Sequence, residues 1–141
     1  EGPDMEKVTQ FLEENPELID KIKLLGKVND LYRILHLSDV FLLPSEQESF
    51  GLAALEAMAA HTPVISSNAG GIPETGFLAE VGNVEAMANY TIKLLSDEKL
   101  LEKMKKNAKA QAIRFDLQNI LPIYEEMYAN TLKDFRAKAK S

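Results

Sequence analysis

Cysteine and tryptophan are absent from this chain of 141 residues, and histidine occurs only at His36 and His61. The absence of cysteine excludes disulfides, thiolate nucleophiles and cysteine-ligated zinc. The two histidines lie too far apart in sequence to have the spacing of metal ligands, so we expect no metal site. The chain also lacks an apolar run of about 20 residues and a signal-peptide pattern. These absences predict a cytoplasmic protein without a membrane span.

The charged residues are unbalanced towards acid, with 22 acidic against 16 basic side chains and a net charge of −6. A general nucleic-acid binder needs a basic face that displaces counterions, so we expect no nucleic-acid partner. Both the length and the 45% of hydrophobic residues fit one packed domain. The chain opens at Glu1-Gly2-Pro3 without a methionine, which leads us to expect a piece of a longer protein.

Short apolar runs alternate with helical patterns in the first part of the chain. Helices are predicted from the Asp4 cap to Asn15-Pro16, at 30–37 and at 49–60. The strand signals are apolar runs of four or five residues, and the run at 40–44 is apolar enough for burial on both faces. The predicted strands lie at 22–26, 40–44, 63–66 and 76–79. This order predicts an α/β fold with a mostly parallel sheet.

Three amphipathic helices are predicted after the sheet, and the apolar residues of each fall at helical spacing. The first stripe consists of Val84, Met87, Ala88, Thr91, Ile92 and Leu95. The second helix begins at Ser96-Asp97, and its stripe consists of Leu101, Met104, Ala108, Ala112 and Phe115. The third has Asp116 as its cap, and its stripe consists of Leu117, Ile120, Leu121, Tyr124, Met127, Tyr128 and Phe135. We expect the third stripe to be fully used in packing.

The loop after the 40–44 run has the features of a phosphate site. Ligands of parallel sheets bind beyond the carboxyl ends of the strands. A helix that begins near Phe50 points unsatisfied N–H groups at that edge, and Gly51 lets an anion approach the backbone. Glu48 and Glu56 lie eight residues apart, about 12 Å along a helix axis. Such carboxylates suit a ligand with hydroxyls on both sides of a diphosphate.

Each part alone has a more ordinary explanation. A single glutamate in a helix usually lies in solvent, Glu48-Ser49 before a helix is usually a cap, and Gly70-Gly71 is usually a turn. The helix around Glu56 is rich in alanine and other apolar residues, so we expect it to be buried on most sides. A buried charge needs a specific partner. The parts therefore support one another as one site.

Together these residues resemble a known family of enzymes. The pattern Glu48-Ser-Phe-Gly-Leu-x-x-Leu-Glu56-Ala-Met-Ala59, then Pro63-Val-Ile65, then Gly70-Gly71-Ile-Pro-Glu74 resembles the nucleotide-sugar domain of family 4 retaining glycosyltransferases. The likeness extends over almost the whole chain. It implies the C-terminal half of a GT-B enzyme, with a partial Rossmann-like parallel sheet at 1–96 and packing helices at 97–141. The resemblance also implies an enzyme that needs no metal and no other cofactor, since the nucleotide sugar is a substrate.

The resemblance also implies roles for particular residues. Glu48 corresponds to the glutamate beside the transferred sugar, and Glu56 to the one that binds the ribose hydroxyls. The backbone of Phe50, Gly51 and Leu52 would bind the diphosphate. The other implied donor contacts are Ser49, Gly70, Gly71 and, at the uracil edge, Lys27 and Val28.

The motifs are most similar to members that transfer N-acetylglucosamine from UDP-N-acetylglucosamine to L-malate, the first step of bacillithiol biosynthesis. The acceptor would bind mostly to an N-terminal domain of the same protein, and a homo-oligomer is compatible with the sequence. His61 stands where the family usually has glycine, at a position that favours a left-handed backbone, and we expect both histidines to be structural. Thr75-Gly76 follow Glu74 directly, where relatives have about half a dozen more residues, so either the loop is shortened or residues are missing from the sequence.

Two other interpretations stay open at this point. Another family 4 transferase would act on a lipid, inositol or polysaccharide acceptor, and the lysine-rich segment at 99–140 gives a weak hint of a membrane surface. The second is a non-catalytic α/β module such as a receiver domain. Glu46 and Glu48 resemble a receiver's acidic cluster, but the loop at 70–74 has no counterpart there.

Overall fold

The computed structural model describes residues 2–68 and 76–138. These residues separate into two units, one within Glu1–Leu31 and the other within Tyr32–Ser141. No helix among them is long and apolar enough to cross a membrane. The division at residue 96 that the sequence suggests stays a prediction.

The N-terminal unit is helical at its start. Helix α1 spans Met5–Glu14, and a short 3-10 helix follows at Pro16–Leu18. Asp4 stands at the N-cap position as predicted, but its carboxylate accepts no backbone N–H. It pairs instead with the Lys7 ammonium at 2.6 Å. Asp4 therefore occupies the N-cap position without making a capping hydrogen bond.

The predicted strand at 22–26 is wrong. The segment has no strand structure, and Ile22, Leu24 and Leu25 are 39%, 49% and 57% exposed. A strand exists only where a neighbouring backbone accepts and donates its hydrogen bonds. An apolar run cannot supply that neighbour by itself.

The second unit contains a parallel sheet in the order β1-β2-β3. The strands are β1 (Phe41–Leu43), β2 (Val64–Ser67) and β3 (Gly76–Ala79), and they confirm three of the four predicted strands. Phe41 pairs with Val64, which pairs in turn with Gly76. The expectation that the first of them is buried on both faces is wrong, because β1 lies at the edge of this sheet and Leu42 is 48% exposed.

Gly76 is required by the close approach of β3 to β2. A Cβ at this position would overlap the backbone carbonyl of Val64, its partner in the ladder. Backbone atoms of a paired strand cannot move aside as a flexible side chain can. Any larger residue would therefore separate the two strands at this point.

Successive residues of β2 supply the two hydrophobic clusters of this unit, since neighbouring side chains on a strand point to opposite faces. Val64 packs with α3 (Leu52–Ala59) and α5 (Glu98–Arg114), and Ile65 packs with α4 (Val84–Leu95). Helix α2 (Leu31–Leu37) contributes Leu35 to the first cluster. The central strand is therefore covered on both faces.

The three predicted helices that follow the sheet are confirmed, but the first turns a different face to the core. Met87 and Leu94 are buried and Tyr90 is half-buried, whereas Val84 and Ile92 are 76% and 61% exposed. The predicted stripe is thus rotated. Tyr90 stacks on Phe77 at 4.9 Å between ring centroids, a contact that the periodicity of one helix cannot reveal.

Helix α6 (Leu117–Lys138) follows α5 directly and contains no buried residue. Its predicted cap is confirmed, because an Asp116 carboxylate oxygen accepts the N–H of Gln118. The predicted start of α5 at Ser96-Asp97 is confirmed, and an Asp97 carboxylate oxygen caps the helix by accepting the N–H of Leu100. The expectation that the α6 stripe is fully used in packing is wrong: Tyr128 and Phe135 are 63% and 71% exposed.

Candidate functional site

A small cleft lies beside the carboxyl ends of the strands of the second unit. Its polar lining comes from Ser45, Glu48, Ser66 and Ser67, and Gly51 closes one side. Parallel sheets place ligand sites at this edge because the loops of adjacent strands meet there. The loop that was predicted to form the site therefore lies at the predicted edge of the sheet.

The buried Ser67 side chain fixes the start of this loop. Its hydroxyl donates to the backbone carbonyl of Ser45 and lies 3.5 Å from that of Leu43. Ser67 is only 4% exposed, so the bond is shielded from water. The end of β2 thereby holds the loop that leaves β1.

Gly51 forms the junction between the loop and α3. Its backbone is left-handed (φ 76°), a conformation that glycine adopts without the clash of a Cβ. The helix begins at Leu52, two residues later than the predicted start near Phe50, because the left-handed Gly51 cannot continue a right-handed helix backwards.

The Glu48 carboxylate already lies against the N-terminal end of α3. Its Oε1 accepts the backbone N–H of Gly51 at 2.9 Å. The first N–H groups of any helix lack intrahelical acceptors, and the helix dipole favours a negative charge there. The site thus binds an anionic group in this structure, and that group is part of its own loop.

The spacing of Glu48 and Glu56 is not a simple helical rise. Only Glu56 lies within α3, whereas Glu48 is in the loop and bends back towards Gly51. Glu56 is also exposed, so the expected burial of its helix on most sides is wrong. The core covers one face of α3, where Ala54, Ala57 and Met58 lie. Glu56 lies on the other face, where a ligand can reach its carboxylate.

The residues that flank Gly51 have exposed side chains. Phe50 is 48% and Leu52 is 63% exposed, and Ser49 is exposed as well. The Phe50 ring meets the Phe115 ring edge-to-face, with centroids 6.1 Å apart and planes at 88°. Both rings line an apolar groove of about 510 Å³, together with Leu52, Leu55, Ile120, Ile123, Tyr124 and Met127.

The opposite end of α3 is held by two other helices, α2 and α5. His36 Nδ1 lies 3.2 Å from the carbonyl oxygen of Ala60, and Lys109 donates to that of Ala59 at 2.9 Å. The buried Thr62 hydroxyl donates to the carbonyl of Leu35. His61 has the predicted left-handed backbone (φ 67°) and meets His36 edge-to-face at 6.4 Å. Both histidines therefore have structural contacts here.

Five residues of the predicted site and its motifs lie outside the described part of the second unit. Lys27 and Val28 belong to the N-terminal unit. Gly70, Gly71 and Glu74 lie outside the described residues. The roles of these five residues stay predictions.

Sequence reasoning missed the supports of the loop. The hydroxyl of Ser67 follows a predicted strand, and a small polar residue at that place was the only available signal. The Phe50–Phe115 contact joins residues 65 positions apart, and no local pattern indicates it.

Comparison with known proteins defines the class. The family model of glycosyl transferases group 1 matches residues 2–111, and the chain belongs to this family. The solved structures that it resembles are GT-B glycosyltransferases, which confirms the predicted α/β fold.

Two relatives and one solved structure show how similar this chain is to particular proteins. The chain is 39% identical to N-acetyl-alpha-D-glucosaminyl L-malate synthase of Bacillus anthracis, covering 95% of this chain and 37% of that protein. It is 33% identical to the capsular polysaccharide biosynthesis glycosyltransferase CapM of Staphylococcus aureus, covering 91% and 34%. Anabaena HepE in complex with UDP superposes with a TM-score of 0.81 at 26% identity, covering 89% and 36%. The chain thus spans little more than a third of each.

Proposed function

We propose that this chain supplies the donor-binding part of a retaining glycosyltransferase. In this proposal the enzyme transfers N-acetylglucosamine from UDP-N-acetylglucosamine to the hydroxyl of L-malate, the first step of bacillithiol biosynthesis, in the cytoplasm. The observation that carries the donor site is the Glu48 carboxylate on the N–H of Gly51. It marks the N-terminal end of α3 as a receptor for a negatively charged oxygen.

The proposed donor pose follows from the two ends of the site. The diphosphate would take the backbone N–H groups of Phe50, Gly51 and Leu52. Glu56, exposed one turn into α3, would accept hydrogen bonds from the ribose hydroxyls. The complex of HepE with UDP supports a uridine nucleotide, since that protein shares the fold over 89% of this chain.

Glu48 has a different proposed role, because it lies in the loop and not in the helix. When the sugar leaves UDP, negative charge grows on the diphosphate, and amide donors already in place stabilise it without reorganisation. Glu48 would then leave Gly51 to the diphosphate and turn to the transferred sugar. No metal is needed in this scheme.

The acceptor is proposed from the relatives. The 39% identity to an N-acetyl-alpha-D-glucosaminyl L-malate synthase extends over 95% of this chain and favours L-malate. A polysaccharide acceptor is the second candidate, favoured by the 33% identity to CapM. We propose that acceptor residues lie in a second Rossmann-like domain outside this chain, consistent with its share of the relatives' length. The family match gives no support to a receiver-like module.

Turnover by the protein that joins this chain to its acceptor domain tests the proposal. UDP release is measured with UDP-N-acetylglucosamine and L-malate, and succinate, which lacks the reacting hydroxyl, is the control. We expect UDP to be released with L-malate and not with succinate, and the sugar in the product to be α-linked. Release with sugar polymers but not with malate would favour the second candidate.

A pair of variants tests the role of Glu48. Glu48→Ala should lower kcat by ~10-fold or more with a smaller change in the KM for the donor, since the group acts mainly on the transition state. Glu46→Ala, with the same charge two positions away, is the matched control and should stay within about twofold. Equal effects of the two substitutions would remove Glu48 from the proposed chemistry.

A further inference from the structure

We infer that Phe115, at the end of α5, is a positioning residue for the donor site and acts through Phe50. The inference rests on the proposed function, because it concerns how the Glu48–Gly51 segment is held ready for the diphosphate. Phe115 itself need not touch the donor.

The contact between the rings is directional. Their centroids lie 6.1 Å apart and their planes meet at 88°, so the edge of one ring meets the face of the other. This arrangement is the favourable one for two aromatic quadrupoles. Phe50 stands directly before Gly51 and two residues after Glu48. Restraining its ring therefore restrains the backbone that carries both groups of the site.

The loop has few other supports at this end. Ser67 fixes its start through Ser45. The Glu48–Gly51 bond joins residues only three positions apart and cannot fix the segment relative to the rest of the unit. Among the described contacts, the Phe50–Phe115 pair is the ring contact that ties the segment to a distant element.

Phe115 is itself well placed to serve as a fixed point. Its backbone N–H donates to the carbonyl of Ala112 at 3.0 Å, at the C-terminal end of α5. Ala108 and Ala112 anchor α5 in the core that also contains the buried face of α3. The Phe115 ring thus belongs to a helix that packs in the same hydrophobic core as α3.

The test separates positioning from plain packing. Phe115→Leu keeps an apolar side chain but removes the ring, Phe115→Tyr keeps the ring, and Tyr90→Leu removes a ring from the other aromatic pair, Phe77–Tyr90. Three quantities are measured on the full chain: the melting temperature, the exchange rate of the Gly51 amide by NMR, and the affinity for UDP by calorimetry.

We expect Phe115→Leu to speed exchange of the Gly51 amide and to weaken UDP binding about threefold to tenfold. Phe115→Tyr should stay within about twofold of the wild type in both. Tyr90→Leu should lower the melting temperature at least as much while leaving Gly51 exchange and UDP affinity unchanged. Phe50→Leu should reproduce Phe115→Leu, and the double variant should add little further.

Three results would overturn the inference: unchanged Gly51 exchange in Phe115→Leu, faster exchange with unchanged UDP affinity, or equal effects of Tyr90→Leu. If the wild-type chain binds no UDP, the proposed function fails. In that case the exchange rates of the Gly51 amide still decide whether Phe115 orders the Glu48–Gly51 segment.

Discussion

The two ends of helix α3 are built in opposite ways. Both carry a left-handed residue, Gly51 before the first turn and His61 after the last. The C-terminal end is held by His36, Thr62 and Lys109 through bonds that span 24 to 50 positions of sequence. The N-terminal end is bonded by Glu48, three positions away.

This difference separates stability from function within one helix. Bonds between distant residues fix the C-terminal end permanently, because breaking them would disturb several elements. A bond between neighbours can be exchanged for a ligand at little cost to the fold. The end whose hydrogen bond is local is therefore the one that can take a diphosphate in place of Glu48, while the contact between Phe50 and Phe115 stays in place.

The largest loss of stability is expected from Thr62→Val, which keeps the shape of a fully buried side chain but replaces the hydroxyl that donates to the carbonyl of Leu35 with a methyl group held against that oxygen. We expect a decrease of ~2 kcal/mol in the free energy of unfolding, measured by urea denaturation. UDP affinity should not change. A large loss of affinity with little loss of stability would reverse the roles assigned to the two ends.

Gly51→Ala should cost about 1–2 kcal/mol of stability, because alanine resists the left-handed backbone that Gly51 adopts. Unlike Thr62→Val, it should also weaken UDP binding, since the added methyl lies on the backbone proposed to meet the diphosphate. Denaturation and calorimetry on the same sample check both effects. Unchanged UDP affinity would show that the diphosphate does not approach this residue.

Lys109→Met should cost ~1 kcal/mol, since it removes the bond to the Ala59 carbonyl but keeps most of the aliphatic stem. Lys106→Met, at an exposed position of the same helix, is the matched control and should change stability by less than about 0.5 kcal/mol. Thermal denaturation measures both. Equal effects would mean that the bond does not brace α3.

The smallest expected effect is an increase in stability. His61→Gly should relieve the strained left-handed backbone and raise the free energy of unfolding by ~0.5 kcal/mol, less what the edge contact with His36 contributes. The melting temperature should rise slightly. A clear decrease would show that the His36–His61 contact outweighs the strain.

The sequence was sufficient for elements whose signals are local. The caps of α5 and α6 and the left-handed residue at 61 depend on nearby residues, and the structure has all three. The strands at 63–66 and 76–79 are also confirmed, because the chain supplies each with a paired strand. The loop of Glu48 and Gly51 was also predicted to lie at the carboxyl edge of the sheet. Topology alone decides that placement.

The errors share one cause, which is that a neighbour in space cannot be read from a local pattern. The run at 22–26 was assigned to a strand without a known partner. Periodicity indicated that α4 and α6 are amphipathic, but not which face the core would cover. The same ambiguity gave a buried Glu56, although the core covers only the side of the helix with Ala54, Ala57 and Met58, and the carboxylate lies on the other side.

The central claim is that the locally held end of α3 binds a uridine diphosphate with help from Glu56. Calorimetric titration of the chain with UDP, with GDP as the nucleotide control, tests it most directly. Glu85→Ala, which removes an exposed carboxylate from the first turn of α4, is the matched control for Glu56→Ala. The account predicts binding that prefers UDP, is weakened by Glu56→Ala and is unchanged by Glu85→Ala. A folded chain that binds both nucleotides equally, or binds UDP as well without Glu56, would contradict it.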